Sequence, residues 1–226
     1  MSDNIAHTLT ETAQELGART AITEARSGQS CSFMELDLYA DRYGAYFSAE
    51  GVKSGDRVML MVKPSIDFIA LAFALFRIGA PVILIDPGMG YKNLLRCSAG
   101  VKPDYLVGIP PVVGLSILFG NTFRSLKKRF CCGRFWGFPS RDIRRKREVE
   151  QGSIETFHPD ETSLAAIIFT TGSTGPPKGV RFEHSIFSAQ LEKIQSYYGI
   201  GRGDTDQPGF PLFALFSAAL GAHAVI

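Results

Sequence analysis

An α/β fold, with a mostly parallel sheet and helices on both faces, is predicted by three features of the 226-residue sequence. Short apolar runs recur at RVMLMV (57–62), PVILI (81–85) and LAAIIF (164–169). Segments with helical spacing separate them. Gly, Pro and Asp punctuate the joins. Strands that alternate with helices pair in parallel and are covered on both faces, so they read as continuous apolar runs.

Taken in order, Leu36, Tyr39, Tyr43, Tyr46 and Phe47 step by three or four and mark a helix that Gly51 can end. RVMLMV is short and β-rich, hence a buried strand. Ser65 or Asp67 can start the next helix, which runs to Ile78 with Gly79 as its stop. That helix is apolar almost all round, so it should be sandwiched rather than laid on a surface. PVILI is a second buried strand, closed by the turn Asp86-Pro87-Gly88. A short helix around Tyr91–Ser98 and a strand at Tyr105–Val107 follow. Residues 109–150 break the rhythm. Order returns with LAAIIF, a short strand at Gly179–Phe182, a helix from about Ser185 to Tyr198, and a last helix within FPLFALFSAALGA. Three parts are expected: an α/β part over 1–108, an irregular basic insertion over 109–160, and a third part over 161–226.

Apolar residues make up 45% of the chain, ordinary for a globular protein. The net charge of +2 conceals a basic island. Arg124 to Arg147 holds ten Lys or Arg and one acid, Asp142, while the remainder has fourteen basic and twenty-one acidic residues. Phe123, Phe130, Phe135, Trp136 and Phe138 interleave with those cations. One expectation is a patch over 124–147 lying on anionic lipid. The other is a solvated insertion whose aromatics pack on the domain. No fold signature supports nucleic-acid binding. Cys31, Cys97, Cys131 and Cys132 form no CxxC pair and no zinc spacing, so reduced thiols and a cytoplasmic setting are expected. MSDNIAHTLTETAQ lacks the basic start and apolar core of a signal peptide.

The stretch FTTGSTGPPKGV (169–180) carries the chemistry. Glycines let backbone N–H groups converge on an anion, hydroxyls add donors, and lysine adds a mobile charge. The GxxxxGK[ST] pattern fails, because Pro177 stands where its second Gly should be and Gly179 follows Lys178.

The stretch resembles the phosphate-binding signature of adenylate-forming enzymes: acyl-CoA synthetases, luciferases and peptide-synthetase adenylation domains. Thr171, in place of the usual Ser, is the sole departure. CSFMELDLYADRYGAYF (31–47), GVKSGDRVMLMV (51–62), ALFRIGAPVILIDPGM (74–89) and DQPGFPLFALF (206–216) resemble further blocks of that family in the right order. Long-chain acyl ligases, and within them the branch that makes β-lactones on the way to olefins, are the most similar.

The resemblance implies the fold of a partial N-terminal domain of an adenylate-forming enzyme. It implies a reaction in which a carboxylate, from a fatty or β-hydroxy fatty acid, attacks the α-phosphate of ATP. An acyl-adenylate and pyrophosphate result, and coenzyme A, an internal hydroxyl or a carrier protein takes the acyl group. It assigns Thr170, Thr171, Gly172, Ser173, Thr174, Gly175 and Lys178 to the phosphates, with Mg²⁺ as counter-ion. Pro211, Phe213 and His184 go with the acyl pocket. For His184 a structural role is favoured; for the Phe side chains, plain core packing stays open. The family's catalytic residues are expected downstream of Ile226, so the chain is expected to be a fragment, inactive by itself. The rival expectation is a non-catalytic nucleotide-binding or membrane-associated module.

Overall fold

The computed structural model describes residues 4–134, 142–149, 154–170, 177–209 and 211–226. Its backbone is a six-stranded sheet beside a four-stranded one. In chain order the elements are α1 (Ile5–Leu16), β1 (Thr20–Thr23), β2 (Ser30–Ser32), α2 (Phe33–Ala49), β3 (Val58–Met61), α3 (Ile66–Arg77), β4 (Val82–Ile85), α4 (Tyr91–Val101), β5 (Tyr105–Gly108), α5 (Pro110–Leu118), β6 (Lys128–Cys131), β7 (Leu164–Thr170), β8 (Lys178–Glu183), α6 (His184–Tyr198), β9 (Thr205–Asp206), α7 (Ala214–Leu220) and β10 (His223–Val225).

The larger sheet has the order β6-β5-β3-β4-β7-β8. Its first five strands run parallel and β8 turns back antiparallel to β7. Alternate side chains of β3 feed two cores. Val58 and Leu60 pack with α2 and α3, whereas Met59 and Met61 pack with Leu94, Cys97 and Val101 of α4. Helices therefore cover both faces, as the continuous apolar strands require.

Helix α3 starts where Ser65 accepts the Phe68 N–H at 3.1 Å, so Ser65, not Asp67, is the cap. Asp67 instead accepts from Tyr43 Oη at 2.7 Å and from Arg147 at 2.8 Å. Every other residue of α3 is buried, Arg77 included. Arg77 ends the helix between Asp37 at 2.5 Å and Asp41 at 3.3 Å of α2. After Ile78 the chain reverses at Gly79, whose φ of +70° places the missing Cβ 2.6 Å from the Phe157 ring. The segment entering β7 thus packs directly on the end of α3, and a side chain at residue 79 would collide with it.

Within 109–160, the stretch expected to be an irregular insertion, the described residues include the helix α5 and the strand β6. Pro110 and Pro111 begin α5, where a missing N–H is harmless. The basic KRFC then joins the sheet as a parallel edge strand beside β5. Several of its cations are neutralised. Lys127 meets Asp56 at 2.8 Å and Asp104 at 3.1 Å, Lys128 pairs with Glu50, Arg144 with Asp142 at 2.6 Å, and Arg147 with Asp67. Phe130 is buried against Tyr46, Phe47 and Tyr105. Among the described residues these contacts favour the packed insertion over a lipid-facing basic patch spanning 124–147. Phe135, Trp136 and Phe138 lie outside the described residues.

The smaller sheet, β2-β1-β10-β9, has no counterpart in the sequence reading. Its strands are two to four residues long, and β1 pairs in parallel with the distant β10 through Ile22 and Ala224.

Candidate nucleotide and acyl site

Strand β7 ends at Thr170 and β8 begins at Lys178, and these two residues are direct cross-strand partners. Opposed residues of an antiparallel pair place their side chains on one face. A hydroxyl and an ammonium therefore share one side of the hairpin where the connecting turn leaves the sheet. Among the described residues no acid pairs with Lys178, so its charge is available to an anion. Gly179 is required by close approach: a Cβ there would meet the Phe169 ring at 3.1 Å and Ile167 Cγ2 at 3.1 Å. Thr171, Gly172, Ser173, Thr174 and Gly175 lie outside the described residues.

The hairpin mouth adjoins the carboxyl ends of β3 and β4, the edge at which open parallel sheets bind ligands. A cavity of about 360 Å³ opens there, lined by Met61, Ile85, Phe169 and Leu212, with Lys63 and Asp86 as its charged members. Asp86 also accepts the Gly88 N–H at 2.8 Å, so it does hold the turn expected of it. The sequence reading overlooked Lys63 and Phe169 as cavity residues. The available signal was position: each sits at the carboxyl end of an apolar strand.

A second, larger groove of about 680 Å³ separates α6 from the segment leading into α7. Ile194, Phe213, Phe216 and Leu220 supply its apolar wall, and Lys193 and Asp206 its charges. Asp206 accepts from Ser217 Oγ at 2.5 Å. Pro211 opens the 3₁₀ turn that carries Leu212 to the first cavity and Phe213 to the second.

His184 does not join Pro211 and Phe213. It lines neither cavity, because the first turn of α6 points it into the core beside Phe76 and Phe157. Among the described residues its Nδ1 has no hydrogen-bond partner. Burial pushes its imidazole down to about 4, so the ring stays neutral near pH 7. It is a buried residue of the core. The described residues also contain no cluster of three or more His, Cys, Asp or Glu able to hold a metal ion. Cys31 and Cys132 are buried thiols pushed up to about 12 by desolvation, which leaves them unreactive.

The model of the family described as "AMP-binding enzyme" matches residues 9–221. This chain belongs to that family. Among curated relatives, the olefin beta-lactone synthetase of Stenotrophomonas maltophilia is 35% identical over 195 residues, covering 86% of this chain and 35% of that protein. The olefin beta-lactone synthetase of Xanthomonas campestris is 34% identical over 219 residues, covering 93% of this chain and 38% of that one. The chain thus spans little more than a third of the length of these AMP-binding relatives. A long-chain-fatty-acid-CoA ligase from Archaeoglobus fulgidus superposes with a TM-score of 0.87 at 20% identity, over all of this chain and 47% of that one. The N-terminal domain of FACL13 from Mycobacterium tuberculosis gives 0.85 at 16% identity, over 99% of this chain and 57% of that one. The fold is therefore that of the N-terminal domain of adenylate-forming enzymes.

Proposed function

We propose that the chain carries the nucleotide-gripping half of an enzyme that activates a carboxylic acid with ATP, releasing pyrophosphate and forming an acyl-adenylate. The observation that carries this reading is the Thr170–Lys178 pair at the mouth of the glycine- and hydroxyl-rich turn. Lys178, which among the described residues has no acid partner, lies beside a hydroxyl and so suits the outer phosphates of a nucleotide. In this reading the hydroxyls of Thr170, Thr171, Ser173 and Thr174, with the N–H groups of Gly172 and Gly175, hold the β- and γ-phosphates. Lys178 stabilises charge on the departing pyrophosphate. Mg²⁺ would supply charge screening at the phosphates.

The acid is a fatty or β-hydroxy fatty acid. The groove at Phe213 and Phe216 is apolar, which suits an alkyl tail. Pro211 fixes the turn that presents Phe213. The names of the related olefin beta-lactone synthetases favour closure of a β-lactone by an internal hydroxyl. The names of the structural neighbours favour transfer to coenzyme A.

Titration with a fluorescent ATP analogue and Mg²⁺ tests the grip. Lys178→Ala and Thr174→Ala should each weaken binding about tenfold, the scale of one lost charge-assisted hydrogen bond. Unchanged affinity in both variants would sink the assignment. The 226 residues alone should show no acid-dependent ATP–pyrophosphate exchange, because the rest of the catalytic machinery is expected downstream; measurable exchange would refute that expectation.

A further inference from the structure

Strand β8 is held unevenly. It stands at the end of the larger sheet, and among the described residues β7 alone pairs with it. Its far end is anchored. The His184 N–H donates to the Ser163 carbonyl at 3.1 Å, and the side chains of His184 and Phe187 are buried just beyond. Its first four residues, Lys178, Gly179, Val180 and Arg181, are all exposed. Gly179 adds backbone freedom there, since a strand glycine has no side chain to pack. The cation at the mouth of the turn therefore sits on the less restrained end of an edge strand.

One side chain reaches across to that end. Phe169 is the direct cross-strand partner of Gly179, one step from the Thr170–Lys178 pair. A Cβ on residue 179 would meet Phe169 Cζ at 3.1 Å, Phe169 Cε1 at 3.2 Å and Ile167 Cγ2 at 3.1 Å. The ring thus lies over the Gly179 backbone, in the space that a side chain would otherwise fill. An aromatic ring laid over a facing glycine pins an edge strand in its register. Phe169 packs in turn on the core that contains Met61, Ile85 and Ile167. Successive strand residues point to opposite faces, so the ring holds β8 from the face opposite the Lys178 side chain and leaves the ammonium open. Gly179 has no left-handed backbone, so the approach of the ring, not conformation, is what requires glycine there.

We infer that Phe169 is a positioning residue for nucleotide binding, acting through Gly179 to set where Lys178 stands beside Thr170. The inference rests on the nucleotide reading proposed above. It adds to that reading a residue that works on the cation rather than on the phosphates.

The test is a double-mutant cycle, read by titrating the chain with a fluorescent ATP analogue and Mg²⁺. Phe169→Leu stays apolar but lacks the reach of a ring, and should weaken binding about fivefold, within the range of coupling between residues in contact. Phe169→Tyr keeps the ring and should bind within about twofold of the parent. In a Lys178→Ala background, Phe169→Leu should change affinity by less than about twofold, because the group it positions is gone. Gly179→Ala, which forces the ring aside, should repeat the pattern at about threefold, and it carries the cycle if Phe169→Leu does not fold. Losses that are equal in the parent and Lys178→Ala backgrounds overturn the inference, since the ring then acts on something other than Lys178. So does unchanged binding in Phe169→Leu while Lys178→Ala weakens it, an outcome that leaves the nucleotide reading standing. Unchanged binding in Lys178→Ala sinks that reading and this inference with it.

Discussion

Helices α3 and α6 each follow a strand of the same sheet, yet they are built for opposite purposes. Helix α3 buries all but one of its residues and is capped by Ser65. Helix α6 is longer but buries only His184, Phe187 and Leu191, and Glu183 gives it no side-chain cap. The difference is one of layers. Helix α3 lies between the sheet and helices α1, α2 and α7, so it carries stability. Helix α6 is held along one edge and keeps its other face for the groove at Phe213.

The largest expected effect breaks α3. Phe73 is fully buried in its middle, and Phe73→Ala should lower unfolding free energy in urea by about 3–5 kcal/mol through lost burial and a residual cavity. A loss under about 1 kcal/mol would mean that α3 is not the central layer.

Next comes the inner edge of α6. The unfolded chain protonates His184 near its ordinary value of about 6.5, but the folded imidazole does so only at about 4. As pH falls through that window the unfolded state binds more protons, so stability drops, by up to about 3 kcal/mol once pH is below 4. Above about pH 7 this group contributes no slope. Urea midpoints at pH 7 and 4.5 should show the decline, and His184→Leu should flatten it.

Capping sharpens the contrast further. Ser65→Ala should cost about 1 kcal/mol, while Glu183→Ser should gain about 0.5–1 kcal/mol by giving α6 the cap it lacks. The smallest effect is at the outer face. Tyr197 is 82% exposed, and Tyr197→Ser should change stability by no more than about 0.5 kcal/mol. A larger loss would mean that the outer face of α6 is packed in solution.

These two helices also show what a sequence can and cannot reveal. The runs at β3, α3, β4 and β7 were readable because each is apolar enough to declare its burial locally. The ends of α3 were readable from Ser65 and Gly79. The strands β1, β2, β9 and β10 were not, because two to four residues carry no period and their pairing is decided by partners far along the chain. The α5–β6 region was misread for a related reason. Its Pro-Pro and lysines look like loop, but Pro110 and Pro111 sit in the first turn of a helix and the cations find acids in distant segments. At the candidate site, the chemistry of Thr170 and Lys178 was legible as a motif. Their cross-strand pairing, and the packing of His184 against Phe76 and Phe157, emerge only once β7 and β8 are placed against α3.

The parallel pairing of β1 with β10 has a consequence for biosynthesis. A chain leaving the ribosome can complete its six-stranded sheet once residue 183 has emerged, yet β1 must wait for residues 223–225 before its open side is filled. Until then the ribbon of β1 and β2 presents unpaired backbone groups to solvent, a template for wrong partners. Translation that stalls between residues 183 and 223 should therefore yield the most chaperone-dependent nascent chains.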